Sequence, residues 1–89
     1  MARFVQSEVA ERRDNPAKGE TVTLVVGLIS GHASTAKQRV RELGGKVDEE
    51  LPFDSLLVEM PEDKLPELCS ISEIESVELD ESMEILAGN

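Results

Sequence analysis

Three stretches in the second half of the chain decide the fold, and they read VRELGGKV at 40–47, FDSLLVEMP at 53–61 and IESVELD at 74–80. In the first stretch a helical pattern meets paired glycines, and Gly44 can adopt the left-handed conformation that ends a helix. In the second, Leu56, Val58 and Met60 alternate as in a strand with one face on the core. Together the stretches predict a strand over 46–51, a turn at 52–54, a strand over 55–60 and a last strand over 74–80.

The residues before these stretches predict a first strand and the body of the first helix. Thr21–Ile29 is rich in β-branched residues and has apolar side chains on both faces, which is typical of a strand at the centre of a sheet. We expect Ser34 to be the N-cap of the helix. Ala36, Val40 and Leu43 then recur at the spacing of one buried helical face.

A second, short helix is predicted between the last two strands. Asp63 as its N-cap places Pro66 in the first turn, where proline is tolerated. Cys69 lies among apolar residues of this helix, so we expect it to be a small buried residue rather than a reactive thiol. As the only cysteine, it cannot form an internal disulfide.

The predicted order β-α-β-β-α-β is the split βαβ, or ferredoxin-like, order of an α+β fold. It predicts a four-stranded antiparallel sheet with two helices on one face and the other face open. An open sheet face on a small domain is a common binding surface. Many unrelated proteins share this layout, so it does not by itself give a function.

Residues 1–19 are predicted to be an N-terminal extension, either a short helix or a flexible arm. Residues 4–13 carry apolar side chains at helical spacing, and the sequence DNPAKG at 14–19 interrupts the pattern. The packed domain is therefore placed at 20–82 and a C-terminal tail at 83–89.

The composition narrows the classes of partner. The chain has 89 residues and a formal net charge of −10. This charge argues against nucleic acid and against anionic membrane surfaces, since both need Lys and Arg. The acidity fits a solvated surface that keeps the protein monomeric when free, as in proteins of a salt-rich cytoplasm, or a patch aimed at a basic partner.

The sequence shows no membrane span and no secretory signal. It has no apolar run of 18 residues, and its N-terminus lacks the apolar core of a signal peptide. We expect the chain as given to be cytoplasmic, or extracellular if it is excised from a longer precursor.

The sequence shows no grouping of residues that is typical of a catalytic site. The single histidine, His32, lies in a loop with no nucleophile elbow or oxyanion hole around it. No Cys/His cluster offers metal ligands, and no loop has the glycine spacing and lysine of a phosphate-binding site. We therefore expect neither an enzyme nor a cofactor.

The segment from 21 to 86 resembles the propeptide domains of subtilisin-like serine proteases and the standalone inhibitors related to them. The resemblance is carried by Gly44-Gly45-Lys46-Val47 and, more specifically, by the closing strand Val77-Glu78-Leu79-Asp80. It implies a protein that binds and inhibits a subtilisin-like serine protease, and that also helps such a protease to fold.

The resemblance also implies the binding residues. In that family the strand face packs on two surface helices of the protease, and two acids at the end of the last strand cap those helices, which here are Glu78 and Asp80. The following tail lies in the substrate cleft. By position, Met83 is P4, Glu84 is P3, Ile85 is P2 and Leu86 is P1.

Other interpretations of the same residues stay open. Glu78 and Asp80 could be solvated acids, and the apolar tail residues could pack on the domain's own core. Ala87-Gly88-Asn89 follow Leu86, so the tail is either a product-like inhibitor or a cleavable substrate. The alternative function is a ferredoxin-like regulatory or assembly module whose open sheet face pairs with a second copy or holds a small ligand.

Overall fold

The computed structural model describes residues 2–80, which form a five-stranded mixed sheet and three α-helices. In chain order these are β1 (Phe4–Val5), α1 (Ser7–Asp14), β2 (Thr21–Leu28), α2 (Ala33–Glu42), β3 (Lys46–Leu51), β4 (Ser55–Pro61), α3 (Leu65–Cys69) and β5 (Ile74–Leu79). A 3-10 turn over Glu62–Lys64 leads into α3. No helix in this part of the chain is long and apolar enough to cross a membrane.

The strands lie side by side in the order β1-β5-β2-β4-β3. The pairings of β2 with β4, β2 with β5 and β3 with β4 are antiparallel, whereas β1 pairs with β5 in parallel. The mixed α+β class predicted from the sequence is confirmed. The ferredoxin-like, four-stranded antiparallel sheet with two helices is wrong in its detail, because β1 adds a parallel fifth strand and α1 adds a third helix.

The core lies between one face of the sheet and the three helices. Strand β2 alternates as predicted, with Val22, Leu24, Val26 and Leu28 buried, and it is the central strand. All three helices contribute buried side chains to the same cluster, so they cover the same sheet face: Val9 from α1, Ala36 and Val40 from α2, and Leu65, Leu68 and Cys69 from α3.

The connection from α2 to β3 follows from its two glycines. Gly44 has a φ of 86°, and the N–H groups of Gly44 and Gly45 donate to the carbonyls of Arg41 and Val40, at 3.0 Å and 2.9 Å. These two hydrogen bonds and the left-handed conformation of Gly44 form a Schellman motif, a common C-terminal cap of helices. The predicted helix end at Gly44 is confirmed.

Both predicted N-caps are wrong. Helix α2 begins at Ala33 with His32 in the cap position, because Gly31, with a φ of 85°, turns the chain into the helix before Ser34. Helix α3 follows the 3-10 turn, and its cap residue is Lys64 rather than Asp63. Pro66 nevertheless lies in the first turn of α3, as predicted.

Candidate protein-binding surface

The sheet face opposite the helices has an apolar centre with acidic ends. The strand registers place Glu49, Leu57, Val25 and Glu78 in one row across β3, β4, β2 and β5. Val25 and Leu57 are half-buried and the two glutamates are exposed. No described element covers this row within residues 2–80. We refer to this side of the sheet as the open face.

A second row on the open face is built from small residues and ends at an aromatic side chain. Ser55, Gly27, Ser76 and Phe4 lie side by side in it. A Cβ at Gly27 would collide with the Ser76 hydroxyl oxygen, so glycine leaves room for this hydroxyl between β2 and β5. Phe4 is 52% exposed. The open face therefore carries only small side chains along this row until it reaches the exposed Phe4 at β1.

Glu78 and Asp80 lie at the end of β5 on the side of the open face. Glu78 is exposed, pairs in register with Val25, and forms no ion pair with any residue of 2–80. The backbone N–H of Asp80 donates to the Thr23 carbonyl at 3.0 Å. Residues two apart in a strand share a face at a spacing of about 7 Å. Met83, Glu84, Ile85 and Leu86 lie outside the described residues.

Each edge of the sheet is protected against pairing with another chain. Strand β3 carries the acidic run Asp48-Glu49-Glu50 and an irregular register between Val47 and Glu49. Charge and a bulge on an edge strand both discourage edge-to-edge association. At the opposite side, β1 covers β5 from Ser76 to Val77 and is itself an edge strand of only two residues, too short to serve as a template.

The N-terminal segment is tied to the domain by a buried carboxylate that the sequence analysis did not single out. Glu62 is 5% exposed, and it accepts hydrogen bonds from the Arg12 guanidinium at 2.7 Å and from the Ala17 N–H at 3.1 Å. The bond to Glu62 is the main cause of a raised pKa of Arg12. In a chain with 19 acids, no sequence pattern distinguishes Glu62 from the others.

A second contact of the N-terminal segment reaches the end of β5. The side-chain oxygen of Gln6 accepts a hydrogen bond from the Leu79 N–H at 2.7 Å. The Gln6 N–H in turn donates to the Val77 carbonyl at 3.0 Å. The division of the chain at residues 19 and 20 stays a prediction, but these contacts connect residues before 19 to the strand that carries Glu78.

The helical side holds two groups with shifted pKa values. Burial raises the pKa of the Cys69 thiol, which is free and buried as predicted. A hydrogen bond from the Ser72 hydroxyl lowers the pKa of Glu73. Glu73 also lies 3.3 Å from the Arg39 guanidinium. Within residues 2–80, no three His, Cys, Asp or Glu side chains are grouped so that they could hold a metal ion.

Fold and surface together define a small α+β domain with an uncovered, acid-flanked sheet face. A family model described as "Putative peptidase inhibitor domain" matches residues 5–80. This chain belongs to that peptidase inhibitor family. The match confirms the predicted inhibitor class, while the likeness to subtilisin propeptides stays a prediction. No curated protein and no solved structure matches the chain.

Proposed function

We propose that this protein inhibits a subtilisin-like serine peptidase and assists its folding. The open face packs on the peptidase, Glu78 and Asp80 cap two of its surface helices, and residues 83–86 occupy its substrate cleft. The observation that carries the proposal is the family match over residues 5–80. The closing strand Val77-Glu78-Leu79-Asp80 supports the subtilisin-like target, because it resembles the end of the corresponding propeptides.

The chemistry of the strand end supports the capping role. A helix N-terminus presents unpaired N–H groups and a partial positive charge, so it favours a carboxylate. Glu78 is exposed and has no ion-pair partner among residues 2–80. Its carboxylate is therefore available to a partner without breaking an internal ion pair.

Residues 83–86 determine which peptidases the protein inhibits. An extended segment pairs with the edge strands of a peptidase cleft through its backbone, while alternate side chains fill pockets. Subtilisin-like clefts favour apolar residues at P4 and P1, which Met83 and Leu86 supply. Glu84 and Ile85 take P3 and P2 between them.

The first test is titration of the purified protein into a subtilisin assay, with the tail followed by mass spectrometry. We expect tight inhibition with the tail intact or cut only after Leu86. A chain truncated after Ser82 should keep its fold, measured by circular dichroism, and lose inhibition. Leu86→Asp should weaken inhibition strongly because it places a charge in an apolar pocket. Normal inhibition by the truncated chain would exclude the proposed role of the tail, and an unchanged inhibition constant of Leu86→Asp would exclude Leu86 as P1.

The capping role is tested by Glu78→Gln with Glu75→Gln as its matched control. Both residues are exposed on β5 and both changes remove one negative charge. Loss of a carboxylate from a helix N-terminus costs about 0.3–2 kcal/mol, so the inhibition constant of Glu78→Gln should rise about 2- to 30-fold. An equal effect of both variants would point to overall charge instead of a cap.

The folding role is tested separately, by refolding a denatured subtilisin-like peptidase with and without the protein. We expect a higher yield of active enzyme after the inhibitor is removed by digestion. An unchanged yield would leave inhibition as the sole activity.

The assembly-module alternative is favoured by one observation, the incompletely buried apolar side chains of Phe4, Val25 and Leu57 on the open face. A second copy could bury these side chains face to face. Size measurement by light scattering separates the two functions, because the inhibitor is expected to be a monomer when free and the module a dimer.

A further inference from the structure

We propose that Gln6 is a positioning residue for the binding residues at the end of β5. Its side-chain oxygen accepts a hydrogen bond from the Leu79 N–H and thereby fixes the strand end that carries Glu78 and Asp80. The effect on inhibition rests on the proposed function, whereas the hold on Leu79 does not.

The hydrogen bond between Gln6 and Leu79 extends the pairing of β1 with β5 beyond the last backbone contact of β1. Along the outer edge of β5, the Arg3 N–H donates to the Glu75 carbonyl at 2.8 Å and the Gln6 N–H donates to the Val77 carbonyl at 3.0 Å. Strand β1 ends at Val5 and the chain enters α1 at Ser7. Beyond that point the Gln6 side-chain oxygen, at 2.7 Å from the Leu79 nitrogen, takes the place of the missing strand.

The end of β5 is thereby fixed from both sides. Successive N–H groups of a strand point to opposite edges. The Leu79 N–H points to Gln6, and the next N–H, that of Asp80, donates to the Thr23 carbonyl of β2 at 3.0 Å.

Gln6 can serve as a fixed point because its own backbone is held. The Ala10 N–H donates to the Gln6 carbonyl at 2.9 Å in the first turn of α1. Val9, one turn along, is fully buried in the core. The side chain therefore starts from a rigid position, and a contact made from a rigid position loses little entropy when a partner binds.

The test compares three glutamine variants. Gln6→Met keeps the length of the side chain and removes the acceptor oxygen, whereas Gln6→Glu keeps an acceptor. Gln38→Met is the matched control, because Gln38 lies exposed on α2 and its side chain contacts Glu42 of the same helix. Amide hydrogen exchange is measured by NMR, and the inhibition constant is measured against the peptidase.

We expect Gln6→Met to speed exchange at Leu79 about tenfold or more while exchange at core amides such as Leu24 is unchanged. The inhibition constant should rise about three- to tenfold, the range given by the loss of one hydrogen bond. Gln6→Glu should retain both the protection and the inhibition, and Gln38→Met should match the unaltered protein.

Each arm can overturn the proposal. Unchanged exchange at Leu79 in Gln6→Met would show that Gln6 does not hold this amide. Faster exchange throughout the core would make Gln6 a general stabilising residue, and faster exchange at Leu79 with an unchanged inhibition constant would remove the positioning role. If the unaltered protein does not inhibit, the proposed function fails, while the exchange data still decide whether Gln6 fixes the strand end.

Discussion

Replacing the buried Glu62 with glutamine tests whether the N-terminal segment is part of the folded unit. The carboxylate joins α1 to the turn after β4 through Arg12, and it accepts the Ala17 N–H. Glutamine keeps the size and one acceptor oxygen for Ala17, but it removes the charge that Arg12 pairs with. The change therefore isolates the ion pair.

The magnitude follows from the burial of the two partners. A hydrogen bond that involves a charged group contributes about 1.5–3 kcal/mol. The Glu62 side chain is 6% exposed but that of Arg12 is 40% exposed, so water weakens the pair and we expect the lower end, about 1.5–2 kcal/mol. For a domain of this size that corresponds to a fall in Tm of roughly 6–16 °C.

The assay is urea unfolding of Glu62→Gln, Arg12→Ala and the double variant. If the pair is stabilising, the double variant should be less destabilised than the sum of the single ones, by about 1 kcal/mol or more. Glu67→Gln is the control, because Glu67 makes an exposed pair with Lys64 at 4.0 Å, and it should change stability by less than about 0.5 kcal/mol. A Glu62→Gln protein as stable as the control, or additive single effects, would refute the reasoning.

Three further predictions concern stability. Gly45→Ala should destabilise by about 1–2 kcal/mol in urea unfolding, because its Cβ would lie 2.8 Å from the Met60 methyl carbon and 2.9 Å from a Val40 methyl carbon. Phe53→Asn should stabilise by about 0.5–1 kcal/mol, since Phe53 is 95% exposed at a φ of 62° and asparagine tolerates that conformation better; an unfolding midpoint at or below that of the unaltered protein would contradict this. Because the pKa of Glu73 is lowered from its ordinary 4.5, the ionised carboxylate stabilises the fold above that pH, and this stabilisation is lost as the pH falls through the lowered pKa. NMR titration should show the lowered pKa of Glu73. In Glu73→Gln the free energy of unfolding should depend less on pH below 4.5.

The parts of the fold that the sequence predicts are those in which a periodic pattern of apolar residues runs over many positions. Strand β2 alternates over eight residues, and helix α2 repeats Ala36 and Val40 at four-residue spacing before its glycine end. Such patterns survive tertiary packing because each buried position must face the same core. The sequence also predicts Val77 and Leu79 as inward residues of β5, and in the structure Val77 is fully buried while Leu79 is partly buried against the core.

The N-terminal strand could not be predicted in this way. A strand of two residues, Phe4–Val5, has no period, and its apolar side chains fit the helical spacing that runs on to Val9. The strand forms because its partner lies 72 residues away, where the edge of β5 offers backbone groups that must be satisfied. Glu62 and Gln6 escape sequence reasoning for the same reason, because their contacts cross 50 and 73 positions of the chain.

The covered edges bear on how this domain can meet a peptidase. β-Augmentation needs an unpaired strand edge, but β1 and Gln6 occupy the outer side of β5 up to Leu79, and β3 carries acids and a bulge. Within residues 2–80, neither edge offers a long flat template. Strand pairing with a peptidase is therefore disfavoured at both edges of the described sheet. The N-terminal segment contributes to this by covering the outer side of β5, and this agrees with the proposal that residues 83–86 are the ones that bind in the cleft.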